Sequence, residues 1–317
     1  MRVLVLDDGY DHYDVERGLL APLGAVLAVV PCRGDALAVR AAIVGADAAM
    51  VRESPIDAAA LDAAPGLRGI VRYGVGVDNI ALEAAAARRI PVCNVPDYGV
   101  EEVSDHALAL LLAVARRLPE ADARVRAGGW GVPRTRPVFR IAGGTLGLIG
   151  FGRIGAAFLR KARGLGFARI LIADPGLREA PAGCTLADVL TIAAEADAIS
   201  LHAPATPATR HLIGAEFLAR TKPSAVLVNT SRGALVDEAA LAEALAAGRL
   251  LGVGLDVFET EPLPAESPLR RLPNVILTDH AAWYSEAAIL DLQRKAAEEV
   301  VRLLTGAAPL HQVNRWL

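Results

Sequence analysis

The chain is poor in cysteine, in histidine and in long apolar runs, and each shortage narrows what it can be. Its three cysteines, Cys32, Cys93 and Cys184, are an odd number without CxxC spacing. That argues against a disulfide framework or a zinc site, and the thiols read as reduced, intracellular ones; no metal is expected. The longest strongly apolar stretch, residues 107–115, is about half of what a bilayer span requires. The N-terminus, MRVLVLDDGYDHYD, turns acidic after six residues, unlike a secretory signal. The arginines are scattered and the net charge is −3, so no concentrated basic surface offers itself to nucleic acid or to an anionic membrane. Internal repeats and low-complexity tracts are missing too. A soluble, cytoplasmic protein is expected.

What remains is ample for a folded enzyme-sized molecule. A length of 317 residues, 53% of them hydrophobic, accommodates two domains of ordinary size. Short apolar runs recur at 3–6, 26–30, 48–51, 69–72, 146–149, 170–173, 198–201, 225–228, 252–255 and 275–277, with helical patterns between them. Between two of these runs Asp237 is placed to cap a helix, Leu241 and Leu245 share its face, and Gly248 is placed to end it. Alternation of this kind predicts α/β architecture, a parallel sheet covered on both faces. Two longer helices are expected over 101–118 and 285–304. An irregular arm, GGWGVPRTRPVFRIAGG, follows the first and either packs locally or reaches another subunit.

The stretch LGLIGFGRIG, residues 146–155, follows a predicted strand and opens a predicted helix. Gly150 permits a tight turn, Gly152 lets a pyrophosphate approach the backbone at a helix N-terminus, and Gly155 lets helix and strand pack closely. Asp174 stands nineteen residues beyond Gly155, at the end of the next strand. A carboxylate there accepts hydrogen bonds from ribose hydroxyls and repels a 2′-phosphate, which favours NAD over NADP. The bland alternative is that these glycines only allow close strand–helix packing.

Three further strand ends carry ionisable groups. Arg232 follows 225–228, the carboxylates Asp256, Glu259 and Glu261 follow 252–255, and His280 follows 275–277. Open α/β folds place their chemistry at such ends. A guanidinium to hold a carboxylate and polarise a ketone, an imidazole to supply a proton, and an acid to support the imidazolium make up the set that hydride transfer to a 2-keto acid needs. Singly, Arg232 reads equally well as a helix cap or surface ion pair, either glutamate as a solvated charge, and a histidine as structural.

Over nearly its whole length the chain resembles the D-isomer-specific 2-hydroxyacid dehydrogenase family. The matching stretches are RYGVGVDNI (72–80), PVCNVPDYGVEEVSDHALALLL (91–112), GGTLGLIGFGRIG (143–155), VLVNTSRGALVDEAAL (226–241), GLDVFETEPL (254–263) and DHAAWYSEA (279–287). The resemblance implies a flavodoxin-like substrate domain, 1–98 with 286–317, and an inserted Rossmann-type NAD-binding domain, 99–285. A crevice between the domains and a homodimer with the irregular arm at its interface are also implied. Arg232 matches a substrate-binding arginine, Glu261 the partner of the catalytic histidine, and His280 the acid/base; Glu259 does not match. Arg72 and the Gly74–Val75–Gly76 turn match substrate contacts, with Val75 and Gly76 giving backbone to a carboxylate. Arg153, Ile154, Pro204, Thr230 and Asp256 join Gly150, Gly152, Gly155 and Asp174 on the NAD side, with Asp256 at the nicotinamide carboxamide.

Among branches, HAAWYSEA is nearest the C-terminal-binding-protein-like corepressors. Trp283 then forms an apolar wall for a substrate side chain, or else an interdomain packing aromatic. Two features depart from or divide the family pattern. Asp279 stands where most members have proline, and its charge either raises the pKa of His280 or points to solvent. Arg52, as in phosphoglycerate dehydrogenases, either recognises an acidic group or pairs with Glu53. The reading is an NAD-dependent 2-hydroxyacid dehydrogenase, or in reverse a 2-ketoacid reductase, with phosphoglycerate dehydrogenase and glyoxylate/hydroxypyruvate reductase as variants. The alternative from another class is an NAD(H)-sensing interaction protein.

Overall fold

A computed structural model describes residues 1–316. The chain divides into two compact units, Met1–Gly99 with Ser285–Leu317 and Val100–Tyr284.

The first unit holds a five-stranded sheet of β1 (Arg2–Val5), β2 (Val26–Val29), β3 (Ala48–Val51), β4 (Ile70–Arg72) and β5 (Val92–Cys93), ordered β2-β1-β3-β4-β5. Every pairing is parallel, and this is the flavodoxin-type order. β3 is buried at all four residues, as a parallel strand covered on both faces must be, which is why AAMV reads as an unbroken apolar run. Helix Glu286–Thr305 packs on β3 and β4. Ser285 caps it by accepting from the Ala288 N–H, and Gly306 ends it at φ 76°.

The second unit holds β6 (Thr145–Ile149), β7 (Arg169–Ala173), β8 (Thr185–Leu186), β9 (Ala198–Leu201), β10 (Val226–Asn229), β11 (Gly252–Leu255) and β12 (Val275–Leu277). Their order is β12-β11-β10-β9-β6-β7-β8, again all parallel. Counted from β6, that is the dinucleotide-binding order 3-2-1-4-5-6 with one more strand at the edge. The order reverses between β6 and β9, which opens a crevice at their carboxyl ends. Helix Val100–Ala115 lies across β10 and β11. A β-carbon at Gly254 would stand 2.8 Å from Leu110 Cβ, and one at Gly252 2.9 Å from Val114 Cγ1, so the two glycines on this face of β11 are what let the helix approach.

Two strands escape the sequence reading: β5 and β8 are two residues each, too short to show periodicity. The helix predicted to run to Leu118 stops at Ala115, because Arg117 turns left-handed at φ 50° and Pro119 opens a second helix, Leu118–Arg126. Proline has no N–H to continue a helix but fits a first turn. The irregular arm therefore begins only after this second helix. Among the described residues no helix is long and apolar enough to cross a membrane.

Candidate active site

The glycine-rich turn leaves β6 at the reversal of strand order. Gly150 has φ 89°, and a β-carbon there would lie 2.4 Å from both the His202 carbonyl carbon and the Ala203 nitrogen at the end of β9. No larger residue fits. Gly152 forms the N-cap of helix Arg153–Ala162 without a side-chain cap, and a β-carbon on it would meet nothing within 4 Å. The N-terminus of that ten-residue helix is thus left without a side-chain cap and with room at Gly152, as an anion cradle requires. Arg153 is exposed, Ile154 half-buried and Gly155 buried. A β-carbon at Gly155 would reach 2.9 Å from the Gly150 oxygen.

Asp174, at the end of β7, accepts from the Phe151 N–H at 2.6 Å and from the Gly176 N–H at 2.7 Å. Its carboxylate therefore braces the turn and lies beside it. Across the crevice Thr230 is 8% exposed, yet its Oγ1 is buried without a hydrogen-bond partner. Such an orphan hydroxyl is costly unless something satisfies it. The open helix N-terminus, the braced carboxylate and the orphan hydroxyl fit a dinucleotide. Pro204, just past β9, is exposed.

β10, β11 and β12 are neighbours in the sheet, so the loops that leave them are neighbours too. After β10, the buried Asn229 side chain donates to the Arg232 carbonyl at 2.8 Å and accepts from the Ser231 N–H at 3.0 Å. This fixes the turn that presents Arg232, whose guanidinium donates to Ser231 O at 2.7 Å. After β11, Glu261 accepts from the Phe258 N–H at 2.9 Å. After β12, His280 adopts φ 56° and sets its Nδ1 2.7 Å from Glu261 Oε2. Partial burial alone pushes the Glu261 carboxyl up. The bonds from His280 and Phe258, with the charges of His280 and Arg232, outweigh it and hold the carboxyl below its ordinary range. The structure thus gathers Arg232, Glu261 and His280. Glu259 turns elsewhere, to His211 at 2.5 Å.

Asp256 is buried, 1% exposed. Its carboxylate accepts from the Thr278 hydroxyl at 2.6 Å and from the N–H groups of Ala281 at 2.9 Å and Ala282 at 3.0 Å. These bonds turn it toward the loop that carries His280. Asp279 is exposed. Trp283 is half-buried, edge-to-face with Tyr284 at 5.9 Å.

In the first unit, Arg52 pairs with Glu53 at 3.0 Å, donates to Gly9 O at 3.2 Å and lies over the Tyr10 ring at 5.8 Å. Arg72 folds back over Gly74, where a β-carbon would fall 1.4 Å from its Nη1. Gly74 stands at φ 138° and begins the turn that exposes Val75, with Gly76 half-buried beside it.

Motif reading missed Gly233. A β-carbon there would fall 1.8 Å from the Phe258 carbonyl carbon and 2.4 Å from the Glu259 nitrogen. Gly233 is what lets the Arg232 and Glu261 loops touch. Its place directly after Arg232 was the available signal.

Comparison with known proteins identifies the family. Residues 108–282 match the model of the D-isomer specific 2-hydroxyacid dehydrogenase, NAD binding domain. A glyoxylate reductase of Korarchaeum cryptofilum is 44% identical over 267 residues, 82% of this chain and 80% of that one. A D-3-phosphoglycerate dehydrogenase of Mycobacterium bovis is 42% identical over 281 residues, 86% of this chain, which spans 52% of the relative's length. The crystal structure of an NADPH-dependent glyoxylate/hydroxypyruvate reductase from Sinorhizobium meliloti, with NADP and malonate, superposes with a TM-score of 0.87 at 32% identity, covering 98% of this chain and 96% of that one. The chain belongs to the D-isomer specific 2-hydroxyacid dehydrogenase family. It is a nicotinamide-dependent oxidoreductase of 2-hydroxy and 2-keto acids, with its NAD-binding domain in the second unit.

Proposed function

We propose that the chain reduces a small 2-keto acid, of the glyoxylate or hydroxypyruvate type, to the D-2-hydroxy acid with NADH. The observation that carries this reading is the His280–Glu261 bond beside Arg232, at the mouth of a sheet whose strand order and glycine-rich turn suit a dinucleotide. Bound at residues 150–155, Asp174 and Thr230, NADH supplies the hydride. Glu261 takes the Nδ1 side of His280, which leaves Nε2 to deliver a proton to the ketone oxygen as negative charge develops there. The ionised Glu261 accepts from Nδ1 and so fixes the orientation of the ring. Arg232 binds the substrate carboxylate and polarises the ketone. Trp283, half-buried on the loop after His280, supports an apolar wall for the substrate side chain.

Asp174 supports NAD over NADP, since a carboxylate there repels a 2′-phosphate. The arm after helix Leu118–Arg126 exposes Trp130 at 91% and Val132 at 85%, which supports burial of this arm against a second copy of the chain. Free Cys32, Cys93 and Cys184 suit a reducing cytoplasm.

The test is steady-state NADH oxidation with a panel of 2-keto acids. His280→Ala and Arg232→Ala are expected to lower turnover by at least about 100-fold while NADH still binds. Normal turnover in both variants refutes the mechanism. Negligible turnover by the unaltered protein, with tight NADH binding, favours a nucleotide-sensing role instead.

A further inference from the structure

Helix Val100–Ala115 carries His106 within 3.0 Å, Nε2 to Oγ1, of Thr278, a residue 172 positions away. Thr278 in turn donates to Asp256 at 2.6 Å, and His106 Nε2 stands 3.6 Å from the same carboxylate oxygen. We propose that His106 is a positioning residue: through Thr278 and Asp256 it clamps segment 278–282 and so holds His280 in line with Glu261. The clamp rests on the function proposed for this site.

The argument begins with donors and acceptors. A threonine hydroxyl has one proton, and the buried Asp256 carboxylate, already bonded to two main-chain N–H groups, accepts it. The Thr278 oxygen therefore faces His106 as an acceptor, and His106 Nε2 carries the hydrogen. This assigns the protonation of one ring nitrogen from the network around it.

The second part concerns what the clamp holds. His280 has φ 56°, a left-handed conformation that a residue with a β-carbon keeps only where its surroundings over-determine it. They do so here. The His280 N–H donates to the Asp256 carbonyl at 2.8 Å, and the N–H groups of Ala281 and Ala282 donate to its carboxylate. The Thr278 N–H donates to Leu255 O at 2.9 Å. Residues on both sides of His280 are thus tied to Leu255 and Asp256, at and just beyond the end of β11, and the Thr278 hydroxyl is the tie that also reaches the covering helix. Without His106 the Thr278 oxygen loses its donor, and the segment loses its anchor to that helix. His280 Nδ1 then drifts from the 2.7 Å contact with Glu261. His106 bonds to Thr278 and stands beside Asp256, both tied to the segment that carries His280, and its effect is argued to pass through that segment.

The test compares His106→Leu and Thr278→Val with the conservative His106→Gln and Thr278→Ser, using the full chain. One arm measures kcat for glyoxylate reduction and the Kd for NADH. The other follows the imidazole C2 proton of His280 by NMR titration, assigned with His280→Gln. For the two apolar variants, kcat is expected to fall about ten-fold while the Kd for NADH stays within about two-fold and the His280 pKa drops as its bond to Glu261 loosens. The conservative variants should recover most of the loss. Wild-type kcat and wild-type His280 titration in both apolar variants overturn the clamp. So does a loss of kcat matched by lost NADH binding with His280 titration unmoved, which assigns His106 a structural role only. If the unaltered protein reduces no 2-keto acid, the functional reading fails while the titration arm still decides the clamp.

Discussion

Replacing Gly233 by alanine places a methyl group against the main chain of the loop that carries Glu261. The new carbon would stand 1.8 Å from the Phe258 carbonyl carbon, 1.9 Å from its oxygen and 2.4 Å from the Glu259 nitrogen. Carbon atoms rest comfortably about 3.5 Å apart, so the loops must separate by about 1.7 Å at this point. Neither side yields easily. The Arg232 turn is held by the buried Asn229, and the Phe258–Glu259 stretch is held through Glu261, Glu238 and His211. A shift of about 1 Å in a catalytic group costs on the order of 100-fold in rate, equivalent to about 2.7 kcal/mol of barrier. Overpacking of this kind costs about 1–3 kcal/mol of stability, or a fall in Tm of roughly 5 °C for a domain of this size. Gly233→Ala is therefore expected to fold, to melt a few degrees lower and to lose about two orders of magnitude in kcat. NADH oxidation with glyoxylate and a thermal scan measure both. A folded variant that turns over within about two-fold of wild type refutes the reasoning that this contact sets the Arg232–Glu261 geometry.

Glu261→Gln removes the carboxylate that His280 Nδ1 faces. A fall of about ten-fold or more in kcat is expected while NADH still binds, with steady-state NADH oxidation as the measurement; an unaltered kcat removes Glu261 from the mechanism. Asp174→Ala takes away both the brace on the glycine-rich turn and the charge that repels a 2′-phosphate. A rise of about ten-fold in the Kd for NADH and a narrower preference against NADPH are expected, with fluorescence titration as the measurement; an unchanged ratio of the two affinities counts against this role.

The corepressor-like alternative and the enzyme reading share most of their motifs, and resemblance did not separate them, since the nearest branch was the corepressor-like one; the complete set of Arg232, Glu261 and His280 favoured the enzyme. Bulk properties and the period of the apolar runs were enough for a parallel α/β architecture, because strands covered on both faces must be short, apolar and regularly spaced. Local chemistry also made the glycine-rich turn legible, since Gly150 meets a steric demand that no other residue satisfies. Arg232 and His280 stood out as ionisable groups at strand ends. Choosing Glu261 over Glu259 needed the resemblance, since the two are two residues apart and alike in chemistry.

Tertiary structure decided whatever depends on residues far apart in the chain. It sent Glu259 to His211 and Glu261 to His280, because loop geometry and not composition directs each carboxylate. It gave Gly233 its meaning, which lies in the approach of a loop 25 residues on. It also set His106 on helix Val100–Ala115 against Thr278, a contact across 172 residues that appears only when β11 and β12 lie side by side beneath that helix. Propensity and period act within a few residues of themselves, whereas hydrogen-bond partners are chosen by where the folded sheet brings its ends.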